Sequence, residues 1–304
     1  MMPKNSIFYL KEKASQIRTD IINMTAAVGK CHLAGPLSSV DLITALYFSK
    51  ILKYDAKNPL WDKRDRFILS CGHYAPVWYS VLARVGYFNP KELINLRQIE
   101  SFLQGHPSCL HSNFVEVSTG SLGQGLSVGV GMALGLKLRN TSAGVKLDLP
   151  ADSESHDSSE VNRNNIWVLT SDAEYQEGQT WEAIMSGSKF RLGNLKVIVD
   201  TNGIQIDGLI KDLMPLGNLV TKLENFGWTV FSIDGHDMSQ IIGSYQTALE
   251  IRNKPVAIVA KTIAGKGVSF IEGKWQWHDG ELTKEQLKTA IRELGEIDSE
   301  NFHD

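Results

Sequence analysis

The sequence predicts an α/β fold, an open and mainly parallel sheet with helices on both faces. Two observations predict it. IWVLT (166–170), LKVIVD (195–200), WTVFSID (228–234) and PVAIVA (255–260) are short apolar runs without polar alternation, the pattern of strands buried on both faces. Helical stretches separate most of them, and that alternation belongs to a parallel sheet that binds ligands at the carboxyl ends of its strands.

The remaining elements follow in order. Ile7, Leu10, Ala14, Ile17, Ile21, Met24 and Val28 recur at three- or four-residue steps, which predicts an amphipathic helix over 6–28. Ser38 and Asp41 have capping-box spacing and predict a second helix reaching about residue 52. RFILS (66–70) reads as a short buried strand, followed by a glycine turn and a helix over 74–86. Asn89, Pro90 and Glu92 have the cap, first-turn proline and third-position acid of another helix start. Thr283 and Gln286 cap a last helix reaching about Leu294.

Composition narrows the function classes. The chain has 304 residues, 31 basic against 34 acidic, and 42% hydrophobic residues, so it can bury a sizeable core and has no cationic excess for nucleic acid. Cys31, Cys71 and Cys109 have no paired spacing, which fits a reducing, cytoplasmic setting and excludes a metal finger. The first residues lack the apolar run of a secretory signal. The stretch 117–136 is 20 residues without a charge, the length of a membrane span, but six glycines and five Ser, Thr or Gln make it too polar to enter lipid. Residues 140–165 are rich in Ser and acids with almost no large apolar residue, which predicts a flexible insertion within a single domain covering 1–304.

The most informative segment runs from 166 to 208. A strand ends at Thr170, a tight turn carries Asp172, and a helix begins near Gln179. Asn202 lies 30 residues beyond Asp172, just past the next strand. Neighbouring parallel strands would bring the Asp172 carboxylate and the Asn202 amide oxygen together, hard ligands suited to an octahedral Mg²⁺ that holds a diphosphate. The backbone carbonyl of Ile204 could complete the protein's share. A lone Asp after a strand is ordinarily a turn or cap residue; the pairing with Asn202 is what singles this one out.

EYQEGQTWEA and DTNGIQIDG flank these two residues, and GHY (72–74), QGHP (104–107), STGSLGQG (118–125), IDGHD (233–237) and KTIAGKGVSF (261–270) with WHDG (277–280) occur in order along the chain. On these motifs the chain resembles the amino-terminal half of a transketolase, the form that two-subunit transketolases encode separately. The resemblance covers nearly the whole chain and implies the thiamine-diphosphate-binding fold.

It also implies roles. Asp172, Asn202 and the Ile204 carbonyl match ligands of Mg²⁺ or Ca²⁺. Ala173 faces the diphosphate, and Glu177 matches an acid near the diphosphate and the subunit contact. Gly120, Ser121 and Leu122 match a loop that meets the aminopyrimidine. His32, His73, His106 and His278 match the histidines around the reactive thiazolium and the sugar donor, His73 and His278 contacting the cofactor as well. Such a cofactor is the electron sink for two-carbon ketol transfer from a ketose donor to an aldehyde acceptor, and imidazoles orient hydroxyls and move their protons. His32 and His278 suit the reacting hydroxyls, His106 the donor's terminal hydroxyl and His73 the cofactor-side proton.

Other residues have plainer readings. His111, His156 and His303 lie outside the motifs, and His236 reads as a turn residue. The small residues of 129–135 suit close helix packing in the subunit or at its interface. Trp275 and Trp277 suit packing and a substrate entrance equally. Ser171 and Ala173 stand where the family has glycines, and Cys31-His32-Leu33-Ala34 replaces Gly-His-Pro-Gly, which points to a specialised donor or acceptor. The glutamate that meets the pyrimidine belongs to a second domain in the family. None follows Asp304 here, so the expectation is a separate partner chain, a heterotetramer, and no activity for this chain alone. Within the same cofactor chemistry the alternative is a 2-oxoacid carboligase or decarboxylase; outside it, a degenerate, non-catalytic subunit.

Overall fold

A computed structural model describes residues 6–140 and 164–300 of the chain. Five strands, β1 (Arg66–Leu69), β2 (Ile166–Ser171), β3 (Leu195–Thr201), β4 (Thr229–Asp234) and β5 (Val256–Lys261), form one sheet in the order β1-β2-β3-β5-β4, with every neighbouring pair parallel. The expected α/β fold is therefore observed. Of the expected insertion, residues 141–163 lie outside the described residues, while Asn164 is buried and the Asn165 carbonyl accepts from Arg66 N as β1 begins.

Side chains alternate along a strand, so each strand feeds two cores. Trp167 and Leu169 join Phe67, Leu69, Ile198 and Ile258 under the helices Ile7–Val28, Val40–Phe48, Ala75–Val85 and Met238–Glu250. Ile166 and Val168 join Ile68, Val197, Val199 and Val259 under Gln124–Asn140, Gly178–Lys189 and Leu219–Asn225. The sheet is thus the middle of three layers. The glycines of the uncharged stretch are used for close packing: a Cβ on Gly129 would lie 2.7 Å from Val168 Cγ2, and one on Gly125 2.5 Å from Ser70 Oγ. No helix of the described residues is long and apolar enough to cross a membrane.

Several elements differ from expectation for identifiable reasons. Ser38 and Asp41 do not form a cap. Ser38 Oγ donates to Gly35 O or to Asp200, and Asp41 pairs with Arg18, so buried partners from distant segments replace the local bond. That helix is Val40–Phe48 and stops well short of residue 52. Asn89 caps as expected, accepting from Lys91 N at 3.0 Å, but Pro90–Asn95 winds as a 3-10 helix. β4 is an edge strand and therefore half-exposed rather than covered on both faces. The reciprocal bonds of Thr283 and Gln286 are present, and their helix runs on to Glu300.

One buried ion pair fastens the first helix to the rest. Arg18 Nη1 and Nη2 donate to the two Asp41 oxygens at 3.1 and 2.6 Å, and Arg18 Nε donates to Lys266 O at 3.1 Å. His236, read as a turn residue, also reaches this pair. Its Nε2 accepts from Ile263 N at 2.9 Å, so the proton sits on Nδ1 and is donated to Asp41 Oδ2 at 2.7 Å. Burial raises the Asp41 pKa, but Arg18 and His236 outweigh it and hold it down at about 2. Removing one member of a buried pair strands the other charge. Arg18→Met is therefore expected to cost about 3 kcal/mol in urea unfolding, whereas Arg139→Met, which breaks a fully exposed surface pair with Asp62, should leave the urea midpoint nearly unchanged.

Candidate active site

The parallel register sets Ser171 opposite Asp200 and Asp200 opposite Ala260, so the turns that follow β2, β3 and β5 emerge side by side at one end of the sheet. Asp172 and Asn202, the two tips singled out in the sequence, meet there. Asp172 Oδ2 accepts from Gly203 N at 2.8 Å and its Oδ1 from Ala173 N at 3.0 Å. Asn202 Oδ1 accepts from Ile204 N at 3.1 Å, at the start of a two-residue ribbon, Ile204–Gln205 with Gly208–Leu209. Burial foremost, then the nearby Asp200 carboxylate, pushes the Asp172 pKa up to about 8 against those backbone N–H groups.

This environment fits a divalent cation. Asp172 is buried, no cationic side chain among the described residues pairs with it, and the oxygens beside it are hard donors. No group of three or more His, Cys, Asp or Glu among the described residues is arranged to hold a metal ion. A cation here would take its other ligands from amide, carbonyl, diphosphate or water oxygens. The two glycine replacements are compatible with the turn: Ser171 has φ −97°, and neither it nor Ala173 has a positive φ.

Glu177 is exposed at the start of the helix Gly178–Lys189. The fully buried acid of this turn is Glu174 instead. Its Oε2 accepts from Ser171 N at 2.9 Å, while Oε1 accepts from Gly123 N at 2.9 Å and from Ser70 Oγ. Glu174 thereby ties the Asp172 turn to the loop carrying Gly120, Ser121 and Leu122. Burial raises its pKa. The Ser171–Glu174 spacing is a capping-box signal that sequence reading had available and passed over.

All four motif histidines come together. Ring centroids of His32 lie 5.2 Å from His73, 5.8 Å from His106 and 5.4 Å from His278, and His73 lies 5.1 Å from His278. Local pairing brings them there. Lys30–His32 pairs antiparallel with Asp279–Glu281, which sets His32 opposite Asp279 beside His278. His73 sits in the 3-10 turn that follows β1. His106 faces the 118–121 loop through Thr119 N to Pro107 O at 3.2 Å. That loop presses on the His73 turn: a Cβ on Gly72 would lie 2.8 Å from Gly120 N, and Gly120 itself has φ 151° with His106 Cδ2 3.1 Å from where its Cβ would be. Only glycine fits both positions.

The quartet is uncharged at neutral pH. Burial, then His278 and His106, lowers the His32 pKa to about 4. Burial drives His73 well below the usual range, with its three neighbours adding to the effect. His106 is lowered by burial and Arg97, and His278 by burial against the opposing pull of Asp279 and Asp207. Neutral imidazoles can accept a proton from a hydroxyl or orient one. Leu33 and Ala34, departures expected on the substrate side, are fully buried, so they act through packing beneath His32. Trp277 stacks edge-on against Phe270 at 5.4 Å, whereas Trp275 is partly exposed. His111 lies apart on the surface, bonded to Ser108 Oγ at 2.9 Å, and His156 and His303 lie outside the described residues.

Sequence reading missed the link between the two halves of the site. Asp200, fully buried, accepts from Ser38 Oγ at 2.6 Å, Tyr74 OH at 2.9 Å, Asn202 Nδ2 at 3.0 Å and Thr262 Oγ1. Tyr74 is next to His73, with ring centroids 4.7 Å apart. An acid at the end of an apolar strand carries no sequence signal for such a role.

A parallel sheet with acid and amide tips meeting at its carboxyl ends places the chain among α/β domains with a ligand site at that end. Comparison with known proteins is specific. The family described as the transketolase, thiamine diphosphate binding domain, matches residues 10–303. The 6-deoxy-6-sulfo-D-fructose transketolase subunit SqwG of Clostridium sp. (strain MSTE9) is 38% identical over 285 residues, covering 94% of this chain and 96% of that one. An apulose-4-phosphate transketolase subunit of Phocaeicola vulgatus is 34% identical over 287 residues, covering 94% of each. The transketolase structure from Campylobacter jejuni superposes with a TM-score of 0.82 at 32% identity, over 95% of this chain and 43% of that one. The chain belongs to the transketolase thiamine-diphosphate-binding family, and the solved transketolase is more than twice its length.

Because the folded His32 pKa lies below that of the unfolded chain, the unfolded state binds more protons as pH falls from about 6.5 to 4, and stability is lost over that window. The His32 share is on the order of 3 kcal/mol. His32→Gln is expected to flatten the fall in urea midpoint between pH 6.5 and 4; a parallel, undiminished fall would show that His32 is not held neutral.

Proposed function

We propose that this chain is the cofactor-binding half of a split transketolase, a transferase moving a two-carbon ketol unit from a ketose donor to an aldehyde acceptor. The observation that carries the reading is the Gly203 N–Asp172 Oδ2 contact, with Asn202 beside it and four imidazoles gathered nearby. In this reading Asp172, Asn202 and the Ile204 carbonyl hold Mg²⁺ or Ca²⁺, and Ala173 and Glu177 lie along the diphosphate side. Gly120, Ser121 and Leu122 receive the aminopyrimidine. When bound, thiamine diphosphate supplies the electron sink that lets the carbon–carbon bond break.

The chain's own residues then handle protons and position. His106 holds the donor's terminal hydroxyl. His32 and His278, neutral at pH 7, accept the proton of the hydroxyl whose carbon is leaving and return it to the product. His73, the most strongly desolvated of the four, serves the proton exchanged on the cofactor side. The buried floor beneath His32 and His73 keeps water from that exchange.

Relatives of this chain's own length are named as subunits, while the solved transketolase carries more than twice the chain. That supports a separate partner chain. In this reading the partner supplies the pyrimidine-contacting glutamate, and two copies of each chain form a heterotetramer in the cytoplasm. The present chain is then one cofactor-binding domain. Two relatives are named for 6-deoxy-6-sulfo-D-fructose and apulose-4-phosphate, which makes these sugars the first donors to assay.

Mixed with its partner chain, Mg²⁺ and thiamine diphosphate, the protein is expected to transfer two carbons from a ketose to an aldehyde, and neither chain alone should do so. Asp172→Asn should weaken cofactor binding at least about 100-fold, because it removes the one anionic ligand that the protein supplies in this reading. His32→Ala should lower kcat by about 10²- to 10⁴-fold with the cofactor still bound. Binding indifferent to Asp172→Asn contradicts the metal assignment, and tight binding with no ketose turnover contradicts the transferase reading.

A further inference from the structure

The buried acid at the end of β3 has no part in the proton transfers described, yet it touches every segment on which they depend. Asp200 is completely buried and its partners come from separate parts of the chain: Ser38 from the helix that follows His32, Tyr74 from the turn bearing His73, Asn202 from the cation loop and Thr262 from the segment leading to His278. We propose that Asp200 is a positioning residue that turns the Asn202 amide oxygen toward Asp172 and locks the cation loop to the histidine-bearing segments. This rests on the reading of Asp172 and Asn202 as cation ligands.

The argument concerns the direction of hydrogen bonds. A side-chain amide has two faces, one accepting and one donating, and its surroundings decide which way each points. Tyr74 O–H donates to Asp200 Oδ2, and Ser38 O–H shares its proton between that oxygen and Gly35 O. Both hydroxyls therefore turn lone pairs toward Asn202, where they accept from Nδ2 at 2.8 Å (Tyr74) and 3.2 Å (Ser38), beside Asp200 Oδ2 at 3.0 Å. An amide oxygen in that position would face acceptors only. Oδ1 is thus committed to the opposite side, where it meets Ile204 N and the turn whose Gly203 N–H reaches Asp172.

The carboxylate sets this order because it is a pure acceptor, and outer-shell groups of this kind commonly alter metal affinity by about 10- to 100-fold. Because Tyr74 and Ser38 also belong to the His73 and His32 segments, the same bonds transmit a shift of the cation loop to the histidine quartet.

The test uses the full chain assembled with its partner chain, with Mn²⁺ as probe in the presence of thiamine diphosphate. Free and bound Mn²⁺ are read by electron paramagnetic resonance at a temperature where circular dichroism shows every variant folded. Asp200→Ala is expected to raise the Mn²⁺ Kd by about 10- to 100-fold. Asp200→Asn keeps one carbonyl oxygen for Tyr74, Ser38 and Asn202 if its NH₂ turns to Thr262, whose hydroxyl can accept; it is expected to stay within about threefold of wild type. A merely structural role would lower the melting temperature of both variants and leave the Kd of the folded protein unchanged.

A Kd for Asp200→Ala within threefold of wild type overturns the proposal. Should that variant not fold, Tyr74→Phe removes only the bridging hydroxyl, and here too a Kd shift under threefold overturns it. Asp172→Asn, measured alongside, separates the two claims. If it leaves Mn²⁺ binding intact, the cation site itself is wrong and this role goes with it. If it abolishes binding while Asp200→Ala does not weaken it, the cation site stands and the positioning role alone falls.

Discussion

The pairing of β2 with β3, which sets Ser171 against Asp200, is the constraint on which the rest of the site depends. Side chains alternate along a strand, so a slip of one residue would turn Trp167 and Leu169 out of one core, Ile166 and Val168 out of the other, and move the Asp172 turn away from Gly203. The two apolar layers that stabilise the sheet therefore hold the Asp172 and Asn202 turns in register at no separate cost. Position at the site is a by-product of packing in the core.

The carboxyl end of the sheet is built from groups that oppose folding when it holds no ligand. Asp172, Glu174 and Asp200 are buried acids with raised pKa values, and the histidines, three of them half-buried and His106 exposed, have lowered ones. Among the described residues no cationic side chain pairs with the three acids, and hydrogen bonds only partly offset their desolvation. In the Arg18–Asp41–His236 cluster the buried charge has partners that satisfy it, and there the acid is held low. The contrast between the two clusters separates a structural ion pair from buried acids left without a charged partner.

Buried polar networks join what the chain keeps far apart. Glu174 connects the Asp172 turn with the 120–123 loop through Gly123 N, and Asp200 connects segments from residues 38 to 262. Such networks specify one arrangement because any alternative leaves a polar group unsatisfied. Glycine is required at Gly72, which packs against the backbone of Thr119 and Gly120, and at Gly120, which packs against His106, and is dispensable at 171 and 173, where φ is not positive.

Much of this was legible in the residues alone. Apolar runs without alternation specified a parallel sheet, because only strands covered on both faces can be apolar throughout, and the motif residues marked Asp172, Asn202 and the four histidines. The edge position of β4, the failure of Ser38 to cap and the true end of that helix were not legible, since each depends on what packs against it from elsewhere in the chain. The same holds for Asp200, Tyr74 and His236, and for the Gly123 contact that Glu174 adds to its legible box with Ser171; these partners lie as far as 195 residues away in sequence. Periodicity and motif spacing report what a residue does within its own segment. Burial, and the hydrogen bonds that burial makes obligatory, arise only when segments meet, and so the tertiary structure alone decided which acids are paired, which stand bare, and how the two halves of the site are joined.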